Sequence, residues 1–212
     1  MGLRERDKVG RANRILDAAR DLFLQRGFDS VKVEHIAEHA EVSVGTLYNY
    51  FGGKTELILR LSIIENERVA VLARQYDVLF DRPVRETFVA LMQKFYEPES
   101  MMLRQDLWRT GFALAFGDVK LDESRQFLSS DIALRQIVID AAKLLQAKGR
   151  LRDDLDCAAF GAALFNNANA LFLEFTWTEE QTFEQLNALI AEQTDAIVTL
   201  ALPPRAGQRL QE

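Results

Sequence analysis

Val42-Ser43-Val44-Gly45-Thr46-Leu47-Tyr48-Asn49-Tyr50-Phe51, followed by Gly52, Gly53 and Lys54, reads as one short helix with two unlike faces. Ser43 can cap it by accepting a hydrogen bond from a first-turn backbone N–H, and the Gly52-Gly53 pair supplies a permissive backbone that stops it after about two turns. Helical spacing turns Val42, Leu47 and Phe51 toward a core and leaves Val44, Gly45, Thr46, Tyr48, Asn49 and Tyr50 near the other face. That outward face is uncharged but rich in hydrogen-bonding groups. Just upstream, Val33-Glu34-His35-Ile36-Ala37-Glu38-His39-Ala40 forms a second short helix whose apolar stripe is Val33, Ile36, Ala37 and Ala40. Two such helices about a tight turn make a helix-turn-helix.

Outward from this pair the chain reads as helix almost throughout. Only 4 prolines and 11 glycines are spread over 212 residues, and the apolar residues recur at helical rather than alternating spacing. A first helix is expected over 11–26, burying Ile15, Leu16, Ala19, Leu22 and Phe23, with Gly27 as its stop. A fourth begins near Lys54, with Leu57, Ile58, Leu61, Ile64 and Leu72 inward, and runs to the Asp81-Arg82-Pro83 break. A fifth covers 84–96 before Pro98, a sixth 101–116 before Gly117, and a seventh runs from Asp122 or Ser124 to Lys148 before Gly149. Residues 155–175 are apolar on nearly every face and so need neighbours all round. A ninth helix over 179–202 carries Phe183, Leu186, Leu189, Ile190, Ile197 and Leu200 as a stripe, and Pro203-Pro204 ends order, leaving 203–212 as a disordered tail. The expected organisation is all-α: a head over 1–53 and a helical body over 54–202.

Composition places this among ordinary globular chains, with 48% hydrophobic and 27% charged residues. The net charge of −6 is unevenly spread: residues 1–60 hold ten Lys or Arg against nine Asp or Glu, or +1, and the rest 16 against 23, or −7. Arg4, Arg6, Lys8, Arg11 and Arg14 crowd the start, which reads either as a flexible basic arm that lies on phosphates or enters a minor groove, or as a solvated end. No apolar leader or membrane span is expected, and a single cysteine, Cys157, fits a reducing, cytoplasmic setting.

At Gly27-Phe28, Ile36-Ala37, Val42-Ser43, Gly45-Thr46-Leu47-Tyr48, Tyr50-Phe51, Lys54 and Leu57, the chain resembles the TetR family of transcriptional regulators, over roughly its first third. The resemblance implies a homodimeric repressor whose three-helix head reads a double-stranded DNA operator. It also implies an all-helical body that binds a small-molecule effector and pairs with its mate through the last two long helices; a monomeric core is the other use of such helices. Within the head, Ser43, Thr46, Tyr48 and Tyr50 suit phosphate, Val44 a thymine methyl and Asn49 an adenine, while Gly45 permits close approach. Lys54 suits a phosphate, as its matching position does in the family. Tyr50 also suits packing on the first helix. Three positions depart from the family pattern: Lys32 replaces a capping Thr, which keeps a phosphate contact but no cap; Glu34 stands at a contact position; and Glu41 replaces the turn glycine, which implies a left-handed backbone or an altered turn. For the effector, Phe88, Met92, Phe95, Trp108, Phe112, Phe116, Phe165, Asn166, Asn169 and Phe172 lie on the helices that line the family's cavity; an aromatic stripe of this kind also serves as plain core.

His35-Ile36-Ala37-Glu38-His39 matches H-x-x-E-H, an inverted zinc-hydrolase motif, but Ile36 and Ala37 already serve the helix-turn-helix core. No nucleophile elbow, P-loop or dinucleotide fingerprint is present, so no catalytic residue, metal or cofactor is expected. Cys157 reads as a small buried hydrophobe rather than a redox sensor, and Asp153, Asp154 and Asp156 as a helix start rather than a metal site. A regulator that activates, or one that works through protein partners with a weakened head, is the alternative function.

Overall fold

The computed structural model describes residues 2–74, 81–97 and 102–203, and among the described residues it holds nine α-helices and no strand. They are α1 (Leu3–Arg26), α2 (Val33–His39), α3 (Val44–Tyr50), α4 (Lys54–Arg74), α5 (Val84–Phe95), α6 (Gln105–Gly117), α7 (Asp122–Ala147), α8 (Cys157–Trp177) and α9 (Phe183–Ala201). Two compact units result, one of Met1–Glu65 with Met102–Ser129, the other of Asn66–Met101 with Ser130–Glu212, so two of the three boundaries fall inside helices, α4 and α7.

In the first unit, α1 buries Ile15, Leu16, Ala19, Leu22 and Phe23 as the 3.6-residue spacing requires. Gly27, at φ 76°, ends it by donating its N–H to Phe23 O at 2.9 Å. The start differs from expectation: α1 begins at Leu3 rather than at 11, so the basic segment is helical and not a flexible arm. Straight-chain charged residues favour helix, acid precedes base at Glu5–Lys8 and Asp7–Arg11, and Gly2 O accepts the N–H groups of Glu5 and Arg6 at 3.1 Å. Arg6, Lys8, Arg11 and Arg14 are all exposed.

α2 and α3 pack through Ile36, Ala37, Ala40 and Leu47, and Val42 N–H donates to Ala37 O at 2.9 Å across the turn. α4 buries Leu57, Ile58 and Leu61, with Ile64 and Leu72 half-buried. α6 starts at Gln105 rather than 101, because Arg104 is extended and its guanidinium holds Asp106 (2.8 Å) and Leu24 O. Leu103 is buried ahead of it, and Glu65, itself buried on α4, accepts the N–H of Met102. α4 and α6 approach closely at Gly111, where a Cβ would stand 2.9 Å from Ser62 Oγ.

In the second unit, α5 packs against α8 and α9. Arg85 pairs with Asp195, holding that carboxyl below its ordinary range, and Gln93 Nε2 donates to Asn187 O at 3.2 Å. Asp156 caps α8 by accepting from the N–H groups of Ala158 and Ala159, at 2.9 and 3.0 Å. α9 begins at Phe183 rather than 179, because Thr182 and Gln185 form a reciprocal capping box. Cys157 is buried, its thiol donating to Gln146 Oε1 at 3.2 Å; burial and Asp156 push its pKa up. α5 closes at Phe95, ahead of Pro98, whereas the expected run of α4 to Asp81 passes through 75–80, which, like the tail from 204 onward, lies outside the described residues. Among the described residues no helix is long and apolar enough to cross a membrane.

Candidate nucleic-acid interface

α3 is held at its start by Ser43, whose Oγ accepts the Thr46 N–H at 3.0 Å and lies 2.8 Å from Thr46 Oγ1. One hydroxyl hydrogen lies between those two oxygens, which leaves the other free to reach a phosphate. Leu47 is fully buried and fastens the helix, while Val42 and Phe51, expected in the core, are half-buried. On the opposite side Ser43, Gly45, Tyr48 and Asn49 are exposed, Tyr48 by 52%, and Val44, Thr46 and Tyr50 are half-buried. A Cβ on Gly45 would meet nothing nearer than Ser43 Oγ at 4.0 Å, so its bare backbone faces open space. The sequence-expected reading face is therefore brought together on one short helix.

The flanking positions carry the departures. Glu41 adopts φ 54°, the only positive-φ residue other than glycine among those described. Lys32 precedes α2 without a side-chain cap, since an ammonium has no acceptor; instead its N–H donates to His35 Nδ1 at 3.3 Å. That bond engages one of the two imidazoles of the H-x-x-E-H stretch, and among the described residues no group of three or more His, Cys, Asp or Glu is placed to hold a metal. Glu34, Glu38 and Glu41 are exposed.

Lys54 does not stand free. Its Nζ donates to Phe28 O at 2.9 Å, Val31 O at 3.2 Å and Asp29 O at 3.4 Å, and sits 4.3 Å from the centre of the Phe28 ring. An ammonium has three N–H donors, and here all three meet carbonyls of the chain itself.

The ten residues expected to receive an effector divide between the units. In the second unit Phe88, Met92, Phe95, Phe165 and Phe172 are buried, Asn169 is half-buried and Asn166 is exposed. Ring pairs link Phe88 to Phe160 (5.4 Å), Phe95 to Phe165 (6.0 Å) and Tyr96 to Phe172 (4.9 Å). In the first unit Trp108 and Phe112 are buried 5.8 Å apart, while Phe116 is 65% exposed at the end of α6. None of the ten lines the cleft of ≈ 680 Å³ bounded by Gly149, Leu151, Arg152, Asp153, Asp154, Leu202 and Pro203, nor that of ≈ 220 Å³ between α1, α4 and Met102–Leu103.

Sequence reasoning missed Asp131 and Tyr96. Burial pushes the Asp131 carboxyl up to about 6 against the opposing pull of Arg135, and Asn169 Nδ2 reaches its oxygens only at 3.4 and 3.5 Å. Tyr96 is buried, and that burial with the nearby Asp131 charge holds its phenol well above the ordinary value. A signal was present: Asp131 occupies the buried stripe Phe127, Leu134, Val138 of α7 at helical spacing.

The family-model match falls at the head end of the chain, whereas likeness of fold extends over nearly the whole chain. Residues 15–61 match the family model of bacterial regulatory proteins, tetR family. The HTH-type transcriptional repressor KstR of Rhodococcus jostii (strain RHA1) is 42% identical over 59 residues, which are 28% of this chain and 28% of that protein. The chain thus matches little more than a quarter of that relative's length. A regulator from Mesorhizobium loti MAFF303099 assigned to the TetR family superposes with TM-score 0.71 at 16% identity, covering 91% of this chain and 97% of that one. Thermus thermophilus FadR, a TetR-family transcriptional repressor in complex with lauroyl-CoA, gives TM-score 0.65 at 21% identity, covering 95% and 100%. At these identities the likeness is one of fold.

Proposed function

We infer, for a chain that belongs to the TetR family of DNA-binding transcriptional regulators through its head, that it acts as a homodimeric repressor released from its operator by a small apolar or aromatic ligand. The observation that carries this is the capped α3 with Gly45, Tyr48 and Asn49 exposed on one face. Residues 1–53 form the reading domain and 54–202 the effector and dimerisation body. Asn49 pairs with an adenine edge and Val44 with a thymine methyl, while Ser43, Thr46, Tyr48, Tyr50 and Lys32 hold phosphates. Exposed Arg6, Lys8, Arg11 and Arg14 on α1 add cationic contacts from a rigid element.

Two heads about 34–36 Å apart would read a near-palindromic site from successive major grooves. Pairing uses the outward side of α8, where Ala159, Ala163, Asn166 and Ala170 are exposed, together with exposed Leu189 and Leu200 of α9. The aromatic interior of the second unit suits an apolar effector, and the lauroyl-CoA held by Thermus thermophilus FadR makes a fatty-acyl chain one class to test. Release requires that the effector bind the operator-free conformation more tightly, since equal affinity for both would shift nothing. The work is cytoplasmic, where the DNA is.

A second reading, an activator or a partner-dependent regulator with a weakened head, draws on the exposed Glu34 and Glu41, whose carboxylates repel phosphate. Selection of duplexes from a random library by the purified chain at moderate salt separates the two. Enrichment of an inverted repeat is the expected outcome; a dimer that enriches nothing supports the weakened head.

A further inference from the structure

Lys54 is the one cation of the head whose ammonium is spent entirely on its own chain among the contacts described above, and the positions of its partners are informative. Phe28, Asp29 and Val31 make up the connection between α1 and α2, whereas Lys54 opens α4 immediately after the Gly52-Gly53 stop of α3. The ammonium therefore joins the residues just before the helix-turn-helix to the residue just after it, across a sequence separation of 26. The Phe28 ring under the ammonium packs on Phe23, fully buried in α1, at 5.3 Å, so the anchor is continuous with the core.

We propose that Lys54 is a positioning residue that closes the helix-turn-helix into a ring and thereby sets the pose of α3 on DNA, rather than a phosphate contact. The proposal rests on the head being a DNA reader. Carbonyls 28, 29 and 31 have few backbone donors to meet them, because the loop that carries them is not helical, and a compact ammonium with three donors satisfies all of them at once. A guanidinium, planar and larger, cannot reproduce that convergence.

The test measures binding of the duplex selected above, and of a mixed-sequence duplex of equal length, across a salt series. Lys54→Met and Phe28→Leu are each expected to weaken the selected duplex by about tenfold or more while leaving the salt slope unchanged, and Lys54→Arg is expected not to restore binding. A phosphate contact gives the opposite pattern: Lys54→Met lowers the slope by about one, Lys54→Arg restores affinity, and Phe28→Leu is neutral. That pattern overturns the proposal. Should Lys54→Met fail to fold, Phe28→Leu and Lys54→Arg carry the same distinction. A DNA-free readout separates this from the wider assignment: in the full-length chain, amides 31–36 should exchange hydrogen about tenfold faster in Phe28→Leu and Lys54→Arg. Unchanged exchange refutes the ring closure, whereas faster exchange in a chain that retains no duplex refutes the DNA reader and leaves the closure intact.

Discussion

Asp131 places a carboxyl in the otherwise apolar stripe of α7. Its carboxyl is held near 6 by burial, above the 3.8 of an exposed aspartate, so the folded chain retains this proton where the unfolded chain has lost it. The sign follows: for this group stability is greatest below about pH 4, falls as pH rises through 4 to 6, and stays lower above. The shift corresponds to at most about 3 kcal/mol, and partial solvent access reduces it to roughly 1–2 kcal/mol. Asp131→Asn, which keeps an acceptor for Asn169, should raise the unfolding free energy at pH 7 by that amount and flatten the decline between pH 4 and 6. Urea titrations at both pH values check it, and parallel curves for the two proteins would rule out the assigned protonation. Glu41 illustrates the opposite case, a local strain visible beforehand: a turn that takes glycine in the family holds Glu at φ 54°.

At the scale of elements, helix ends were more legible than helix starts. Gly27 and Gly149 both adopt positive φ where a stop was expected, because a left-handed residue is a local requirement written in one side chain. The start of α1 was misplaced because charged residues favour both helix and solvated coil, and the choice rests on a few paired charges. The start of α9 is written in Thr182-x-x-Gln185, a reciprocal capping box. The cap and the exposed face of α3 were legible because capping and spacing are short-range; the ties of Lys54 were not, since they join residues 23 to 26 apart. Close helix crossings belong to the same illegible class. At Gly161 an added Cβ would stand 2.7 Å from Ile139 Cα, so Gly161→Ala must part α7 and α8. A loss of about 1–3 kcal/mol is expected from denaturant melts, and a neutral result would show that the crossing relaxes freely.

For the molecule as a whole, the weight of the proposal falls on pairing through α8 and α9. Ala163 is exposed on α8 in the single chain, so a carboxylate there costs little unless a mate covers it. Ala163→Glu should convert a sedimenting dimer to a monomer without loss of helicity and weaken operator binding by more than tenfold, because two tethered heads bind far better than one. Wild-type chain that sediments as a monomer, or an Ala163→Glu dimer, would remove α8 from the interface.

The division of the chain also bears on its biosynthesis. The first unit is discontinuous: the chain leaves it at Glu65 and returns at Met102, and only with 102–129 does Glu65 receive the Met102 N–H and Ser62 its neighbour Gly111. At synthesis rates of about 5–20 residues per second, roughly 3–13 s separate Glu65 from Ser129 at the ribosome. During that interval the helix-turn-helix exists as nascent polypeptide whose supporting segment, 102–129, is still unmade.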